Sequence, residues 1–434
     1  MVLLERAPES LRGGNSRHTR DLRYVHDRAT PFVTGAYPEE EFWEDLLRVT
    51  GGETHLGLAT LVIQESRTLP EWMERHGVRW QPPLRGTLHL SRTNLFFLGG
   101  GKALVNTYYD AARRVGVEVL YEATVRDLVE TGSDGCAVVV DVGGVRRTLA
   151  CGAVVVASGG FEANIPWLAR YWGEAAHQFV IRGTPYNDGT VLAALLGRGA
   201  RSVGEPRGVH AVAVDARSPR YDGGIVTRVD SIPFGIVVNR LGQRFADEGE
   251  DLWPRRYASW GALIAEQPGQ TAYSVFDAKV WGCFIPSAYP PLRASSLEDL
   301  ASLLGVDAAA FQATVHAYNR SVRPGERFRP GELDGCATSG LHPPKSHWAL
   351  PVDQPPFYAY PLRPGITFTY LGLAVDERAR VLTTAGRPLP HVYAAGECMA
   401  GNILSRGYLG GLGLTIGSVF GRIAGTEAAR DARA

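Results

Sequence analysis

The sequence is poor in sulfur-containing residues, and its cysteines do not pair at any motif spacing. Its 434 residues include five cysteines and three methionines. No two cysteines are close enough in the sequence to form a Cys-x-x-Cys motif, and their number is odd. The pattern therefore argues against a disulfide framework, a zinc knuckle or an iron–sulfur site. We predict no metal centre.

Net charge and long apolar segments are also lacking. The 45 basic residues balance the 45 acidic ones, which gives no global attraction to nucleic acid or anionic lipid. No apolar run approaches the roughly 20 residues of a membrane-spanning helix. Arg6, Glu9 and Arg12 interrupt the apolar start, so no signal-peptide pattern is seen. We therefore predict a cytoplasmic protein.

Glycine, in contrast, is abundant, and it follows apolar strand-like segments. The chain has 51 glycines in 434 residues, well above the usual share of about 7%. Residues 153–157 form an apolar run that ends in Ser158-Gly159-Gly160, and the strand-like residues 392–395 lead into Gly396 and Glu397. Buried parallel strands that end in glycine turns are typical of nucleotide-binding α/β folds.

The first residues read as the end of a buried parallel strand that closes on Glu5. In a dinucleotide-binding βαβ unit the second strand ends in this way, and its acid binds ribose hydroxyls. The alternative is an edge strand with a surface glutamate. If the first interpretation holds, the first strand, the Gly-x-Gly-x-x-Gly turn and the first helix are missing from the sequence as given. We expect the natural gene product to begin earlier, and we expect weak FAD binding without that segment.

The middle of the chain differs in composition. From residue 205 to about residue 360 the predicted strands are short, and proline and tryptophan are frequent. Residues 236–245 predict a hairpin around Gly242, and residues 297–304 and 308–321 predict helices. The proline-rich stretch that leads to Pro364 reads as loop. We interpret this part as an inserted α+β domain.

Six segments, taken in order, carry a resemblance to one known family. They are residues 3–7 (LLERA), 13–16 (GGNS), 157–161 (ASGGF), 187–189 (NDG), 239–248 (NRLGQRFADE) and 394–397 (AAGE). Together they resemble the flavoprotein subunits of the fumarate reductase/succinate dehydrogenase class. The resemblance implies a Rossmann-like α/β FAD-binding domain made of residues 1–204 and 361–434. It also implies a capping α+β domain at residues 205–360, and FAD as cofactor.

Within that class, two segments resemble the FAD-dependent tricarballylate dehydrogenases. These are residues 12–19 (RGGNSRHT) and 247–254 (DEGEDLWP). The resemblance implies oxidation of a CH–CH bond, which converts tricarballylate to cis-aconitate by hydride transfer to the flavin. It further implies an iron–sulfur partner protein that accepts the electrons, and peripheral attachment to the inner face of the membrane through that partner.

The resemblance also implies which residues bind FAD. Glu5 would hold the adenosine ribose, and Gly14, Asn15 and Ser16 would line the pyrophosphate and the flavin. Ala157 and Gly159 would approach the adenine side, Asp188 the flavin side, and Glu397 the ribityl chain. The backbone of Leu414 and Thr415 would meet the flavin O2 edge, where a helix N-terminus stabilises negative charge.

The reaction needs a base beside the substrate as well as a carboxylate clamp. The resemblance implies a proton-transferring arginine in the capping segment, which we assign to Arg256, with the adjacent Tyr257 as the alternative. His210 matches a substrate-binding histidine of the class. A surface arginine pair and a structural histidine are the competing interpretations.

Two departures from the class concern the substrate. The segment around Thr369, predicted to contact substrate, lacks the histidine pair of the fumarate reductases, and Tyr408 stands where they carry an arginine. Arg406, two residues earlier, is the predicted carboxylate clamp. We therefore predict a dehydrogenase other than a fumarate reductase. A desaturase of an apolar, ketosteroid-like substrate is one alternative, because Trp253, Phe368 and Tyr408 would suit it. A non-catalytic remnant is another.

Overall fold

The computed structural model describes residues 1–84, 86, 88–130, 135–323 and 325–433. In chain order, its strands are β1 (Val2–Leu4), β2 (Asp21–Arg23), β3 (Trp80–Gln81), β4 (Asn94–Phe97), β5 (Glu118–Leu120), β6 (Ala123–Glu130), β7 (Cys136–Val142), β8 (Val145–Cys151), β9 (Val154–Val156), β10 (Val180–Ile181), β11 (Ser202–Val203), β12 (Val209–Asp215), β13 (Ile236–Asn239), β14 (Ala272–Asp277), β15 (Leu292–Ala294), β16 (Phe357–Thr369), β17 (Gly372–Leu373), β18 (Arg380–Leu382) and β19 (Pro388–Ala394). Its α-helices are α1 (Glu39–Thr50), α2 (Leu56–Ser66), α3 (Leu69–Arg75), α4 (Leu90–Thr93), α5 (Gly100–Arg114), α6 (Ile165–Trp172), α7 (Thr190–Gly197), α8 (Trp253–Arg256), α9 (Trp260–Ala265), α10 (Leu297–Leu304), α11 (Ala308–Ser321) and α12 (Leu412–Asp431).

Local sequence explains where the predicted helices begin and end. The Ser296 hydroxyl accepts a hydrogen bond from the Asp299 backbone N–H and caps α10, and Asp307 caps α11 in the same way. Gly51 follows α1 in the left-handed conformation that ends many helices. Helices α10 and α11 have the bounds predicted from the sequence.

Short parallel strand pairs form the part that resembles a nucleotide-binding fold. Strand β1 pairs in parallel with β5, and β9 pairs in parallel with β19, to which β18 adds an antiparallel edge. Helix α12 packs on β19 and on the short 3₁₀ helix Gly396–Asn402. Turns at the carboxyl ends of β9 and β19 therefore lie beside the N-terminal half of the long final helix.

A six-stranded sheet joins the middle of the chain to the rest. Its central strand, β16, pairs with β10, β12, β14 and β15, and β13 extends the sheet beyond β14. The predicted domain boundary at residue 360 falls inside β16. The end of this strand at Thr369 reaches the turns that follow β9 and β19, because Thr369 hydrogen-bonds Glu397. This strand links the middle of the chain to the nucleotide-binding part.

Two apolar clusters form the core. A large one runs through both parts of the chain, and a smaller one packs β13 and β14 against α10 and α11 around Phe311 and Tyr318. In the ranges described above, no helix is both long and apolar enough to cross a bilayer.

Candidate active site

The turn after β9 packs so closely against its neighbours that its glycines cannot carry side chains. Gly159 has a φ of +74°, and a Cβ there would overlap the amide group of Asn187. A Cβ on Gly160 would overlap both the Thr369 hydroxyl and the Glu397 carboxylate. The turn therefore brings main-chain groups directly against a buried polar network.

That network has two carboxylates at its centre. Glu162 is fully buried, and one of its oxygens accepts hydrogen bonds from the side-chain amides of Asn15 (2.6 Å) and Asn187 (2.8 Å). Glu397 accepts from the Thr369 backbone N–H at 2.9 Å. Burial, and then the neighbouring Glu162, hold the pKa of Glu397 well above its usual range, and burial also raises the pKa of Glu162. Each carboxyl group therefore keeps its proton to a higher pH than an exposed glutamate does.

Polar atoms left without partners lie in the same region. Ser158 Oγ and the second carboxylate oxygen of Glu162 are buried and make no hydrogen bond within the described residues. Buried polar atoms of this kind need a partner, so the site fits a ligand rich in hydroxyl and phosphate groups. FAD has these groups. Asn15, Ser158, Gly159, Glu162 and Glu397 are the residues that would hold it.

Other residues predicted to bind FAD lie in different surroundings. The Glu5 carboxylate accepts from the backbone N–H groups of Ala7 and Gly13 and from the Tyr109 hydroxyl, so the protein's own groups engage both of its oxygens. Asp188 caps α7 through Thr190 and forms a 2.5 Å ion pair with Arg6.

Five further residues that were predicted to bind FAD lie at turns or at the ends of secondary-structure elements. Gly14 opens the 3₁₀ helix Gly14–His18 with a φ of +53°, and Ser16, in the same helix, is exposed. Ala157 is exposed at the end of β9. Leu414 and Thr415 lie in the first turn of α12, where the Thr415 hydroxyl donates to the Arg23 carbonyl at 2.6 Å.

A second cluster lies nearby and is basic and aromatic. His210, on β12, stacks on Tyr408 with ring centroids 3.9 Å apart and meets Tyr257 edge-on at 5.5 Å. Its Nε2 atom is buried without a hydrogen-bond partner in the described structure. Burial, and then Arg182 and Arg228, lower the pKa of His210 well below 6.5, so the ring is neutral and offers a hydrogen bond without a charge.

Three arginines surround these rings. The Arg228 guanidinium lies 4.5 Å from the centre of the Tyr257 ring, and the Asp230 carboxylate grips it with two hydrogen bonds of 2.6 and 2.8 Å. Arg20 pairs with Asp21 at 3.3 Å. The third, Arg182, influences the pKa of His210 together with Arg228. The pocket is therefore cationic, with neutral hydrogen-bonding rings inside it.

Several predicted substrate and catalytic residues are outside this cluster. The Arg256 guanidinium pairs with Glu250 at 2.5 Å and donates to the Ser259 hydroxyl, whereas the adjacent Tyr257 is in the cluster. Arg406 is largely exposed, and it pairs with Glu53 and donates to the Thr50 carbonyl. Thr369 belongs to the buried carboxylate network described above.

The sequence analysis missed Glu162, Asp230 and the three arginines Arg20, Arg182 and Arg228. Of these residues, only Arg228 and Asp230 could have been found from a pattern in the sequence. Arg228 and Asp230 are two apart in an extended segment, which places both side chains on one face, so the alternation could have indicated an ion pair. Arg182 and Glu162 belong to no spacing pattern, because strand pairings between distant segments bring them to the site.

Comparisons with known proteins identify the family of this chain. A family model described as an FAD binding domain matches residues 34–414. The whole chain aligns at 27% identity with a probable fumarate reductase of Shewanella frigidimarina, 71% of which is covered. A 4-oxocyclohex-2-ene-1-carboxylate 5-dehydrogenase of Sinomonas cyclohexanicum is 30% identical, over 81% of this chain and 67% of that protein.

Solved structures show the same fold. A flavocytochrome c3 fumarate reductase in its open conformation matches with a TM-score of 0.75 at 23% identity, over 99% of this chain and 74% of that one. A 3-ketosteroid Δ1-dehydrogenase from Sterolibacterium denitrificans matches with a TM-score of 0.76 at 19% identity, over 99% and 94% of the two chains. The chain belongs to the FAD binding domain family, and it is an FAD-dependent oxidoreductase of the fumarate reductase type.

Proposed function

We propose that this protein oxidises a CH–CH bond in a small tricarboxylate, with tricarballylate as substrate and cis-aconitate as product. The observation that carries the proposal is the cluster of Arg20 and the buried Arg182 and Arg228 around neutral His210 and Tyr257. Guanidinium groups match carboxylates in geometry as well as charge, and Arg182 adds a positive charge that no carboxylate of the described residues pairs with.

The reaction removes two hydrogens from neighbouring carbons, one as hydride and one as a proton. Bound FAD would supply the hydride acceptor. Tyr257 is the residue we propose as proton acceptor, because its phenol is buried in the pocket. Burial raises the pKa of Tyr257, and the positive charge of Arg228 opposes that rise. To accept a proton, Tyr257 must first be a phenolate. The positive charge of Arg228 stabilises that form, which becomes the phenol when it takes up the substrate proton.

The remaining groups would position and polarise the substrate. His210 Nε2 would hydrogen-bond a substrate oxygen. The Tyr408 hydroxyl accepts from the Gly413 backbone N–H at 2.9 Å, which leaves its own proton free to donate to a substrate oxygen. Asp230 keeps Arg228 in place, and the Trp253 indole N–H binds Asp230 at 2.9 Å and fixes it in turn. A hydrogen bond to a substrate carboxylate acidifies the neighbouring C–H, which lowers the barrier to proton removal.

A second candidate is the desaturation of a cyclic ketone or oxo acid. His210, Tyr257, Tyr408 and Phe368 form an aromatic wall, with Phe368 and Tyr408 ring centres 6.0 Å apart. Such a wall would also hold an alicyclic ring, and the relative from Sinomonas cyclohexanicum is named for a cyclic oxo acid.

Turnover with a dye as electron acceptor separates the two candidates. The holoenzyme is given tricarballylate, 4-oxocyclohexanecarboxylate or 4-androstene-3,17-dione, and the product is identified by mass. We expect tricarballylate to lose two hydrogens with the highest kcat/KM. Selective turnover of either ketone would replace the proposal with the second candidate. The physiological electron acceptor that we propose remains an iron–sulfur partner protein.

A further inference from the structure

Among the described residues, Arg182 differs from the other buried arginines in having no acidic partner. Arg23 pairs with Asp45, Arg228 with Asp230 and Arg244 with Glu248. Arg182 is only 4% exposed, and no carboxylate of the described residues forms an ion pair with it. A buried guanidinium without a counter-charge costs several kcal/mol, so a fold that keeps one needs an anion from elsewhere.

One side of the Arg182 guanidinium is hydrogen-bonded, and the other side has a buried N–H group without a partner among the described residues. Its backbone N–H donates to the Ile366 carbonyl at 2.8 Å, which fixes the chain at the end of β10. Its Nε donates to the Thr367 hydroxyl at 2.7 Å, and Thr367 lies on β16, two residues from Thr369. Its Nη1 is buried with no hydrogen-bond partner. The side chain is therefore held in one orientation, and its Nη1 group can donate a hydrogen bond to a ligand.

The surroundings of Arg182 favour an anion. Burial, and then the charge of Arg228, lower the pKa of Arg182 to about 10, so it remains protonated near neutral pH. Asp230 already compensates Arg228, and Asp21 compensates Arg20. Arg182 therefore carries the one positive charge of this group that lacks an acid among the described residues. A substrate carboxylate would supply that acid.

We propose that Arg182 binds one carboxylate of the substrate and that this contact selects carboxylate substrates over neutral ketones. Thr367 is its positioning residue. The inference rests on the proposed function for the name of the substrate, but it makes a separate statement about charge. Whatever the carbon skeleton of the substrate, it must carry a carboxylate.

The test measures ligand binding to the oxidised holoenzyme through perturbation of the flavin absorption spectrum. The ligands are cis-aconitate, 4-oxocyclohexanecarboxylate and the neutral 4-androstene-3,17-dione. Arg182→Met should raise the Kd of the carboxylate that binds by 100-fold or more and change the Kd of the neutral ketone by less than threefold. Arg182→Lys should recover part of the lost affinity, because lysine restores the positive charge but cannot form the paired hydrogen bonds of a guanidinium.

Two further variants separate a binding role from a structural one. Thr367→Val should raise the same Kd by roughly three- to tenfold, because a lost neutral hydrogen bond contributes about 1 kcal/mol. Arg380→Met is the matched control, since Arg380 pairs with Asp376 away from the pocket and should leave every Kd unchanged. Unchanged flavin spectra without ligand would show that the variants are folded and loaded.

The outcomes distinguish the two proposals. Normal tricarballylate turnover by the wild type, with less than threefold change in Kd on Arg182→Met, overturns the Arg182 inference and leaves the function standing. Binding of 4-oxocyclohexanecarboxylate but not cis-aconitate, lost on Arg182→Met, overturns the tricarboxylate substrate and supports Arg182. Wild-type protein that binds only the neutral ketone contradicts both.

Discussion

Tyr257 and Arg256 are neighbours in the sequence but face different surroundings. The 3₁₀ helix Tyr257–Ser259 continues directly from α8, and successive side chains of a helix point in different directions. Tyr257 thus lies in the basic and aromatic cluster, whereas the Arg256 guanidinium pairs with Glu250 and donates to the Ser259 hydroxyl. The sequence predicted Arg256 as the proton-transfer residue, with Tyr257 as the alternative. Which of the two side chains faces the basic cluster depends on helix phase, and sequence reasoning could not fix it.

Replacement of Tyr257 tests its proposed role. Tyr257→Phe keeps the ring and removes only the hydroxyl, so it should lower kcat by about 100-fold or more while the FAD spectrum stays intact. Steady-state kinetics with tricarballylate would measure this. Arg256→Lys is the control and should change kcat by less than threefold. If the size of the two effects were reversed, Arg256 would be the proton-transfer residue.

The buried Glu162–Glu397 pair gives a pH-dependent stability. The pKa of each carboxylate is higher in the folded chain than the value of about 4.3 expected in the unfolded chain. Their contribution is therefore fully present below pH 4.3 and is lost as the pH rises through the raised folded pKa values. Glu162→Gln keeps an acceptor for Asn15 and Asn187 and removes one of the two ionisations.

We expect Glu162→Gln protein without FAD to lose less stability between pH 5 and pH 8 than wild-type protein. Each unit of pKa shift that is removed corresponds to about 1.4 kcal/mol. Thermal melting at a series of pH values measures the difference. If the stability of the two proteins fell equally with pH across this range, folding would not raise the pKa of this carboxylate pair.

Among the elements, β16 shows what the sequence could and could not predict. The bounds of α10 and α11 followed from an N-cap residue and apolar periodicity, which are local signals. Strand β16 contains Pro361 and Pro364, and prolines usually argue against a central strand. The loop-rich prediction for residues 324–364 is therefore wrong for residues 357–364, which lie in β16 and pair with other strands of the sheet. Pairing between distant segments has no local signature.

The close packing of the turn after β9 predicts how a substitution at Gly160 changes stability. Gly160→Ala would force the new Cβ against Thr369 and Glu397, so we expect a loss of about 1–3 kcal/mol in stability and weaker FAD retention. Gly421→Ala, in the middle of α12 with open space around it, should instead stabilise by about 0.5–1 kcal/mol. Denaturant unfolding compares them. A Gly160→Ala protein as stable as wild type would show that the turn has room.

At the scale of the whole molecule, the predicted α/β fold, the oxidoreductase class and the FAD cofactor are confirmed by the family match and the solved structures. These depended on short glycine motifs that the sequence shows directly. The predicted substrate and catalytic residues do not all lie in the same place. The structure brings His210, Tyr257 and Tyr408 together and places Arg406 and Thr369 elsewhere. The buried arginines were missed because three separate segments of the chain supply them.

The candidate site consists of two neighbouring parts. A carboxylate network rich in unpaired acceptors lies beside the glycine turns, and a cationic pocket lies beside it. Thr367 connects the two, because its hydroxyl accepts from Arg182 and its carbonyl accepts from Asn15 at 2.7 Å. Neighbouring hydrogen-bonded groups would therefore hold the cofactor and the substrate that we propose.

The most direct test of the account is the visible spectrum of the purified FAD-loaded protein, recorded without oxygen before and after addition of tricarballylate. The account predicts that the oxidised flavin bands bleach as cis-aconitate appears in equal amount. Flavin bands that persist with tricarballylate but bleach with a neutral ketone would contradict it.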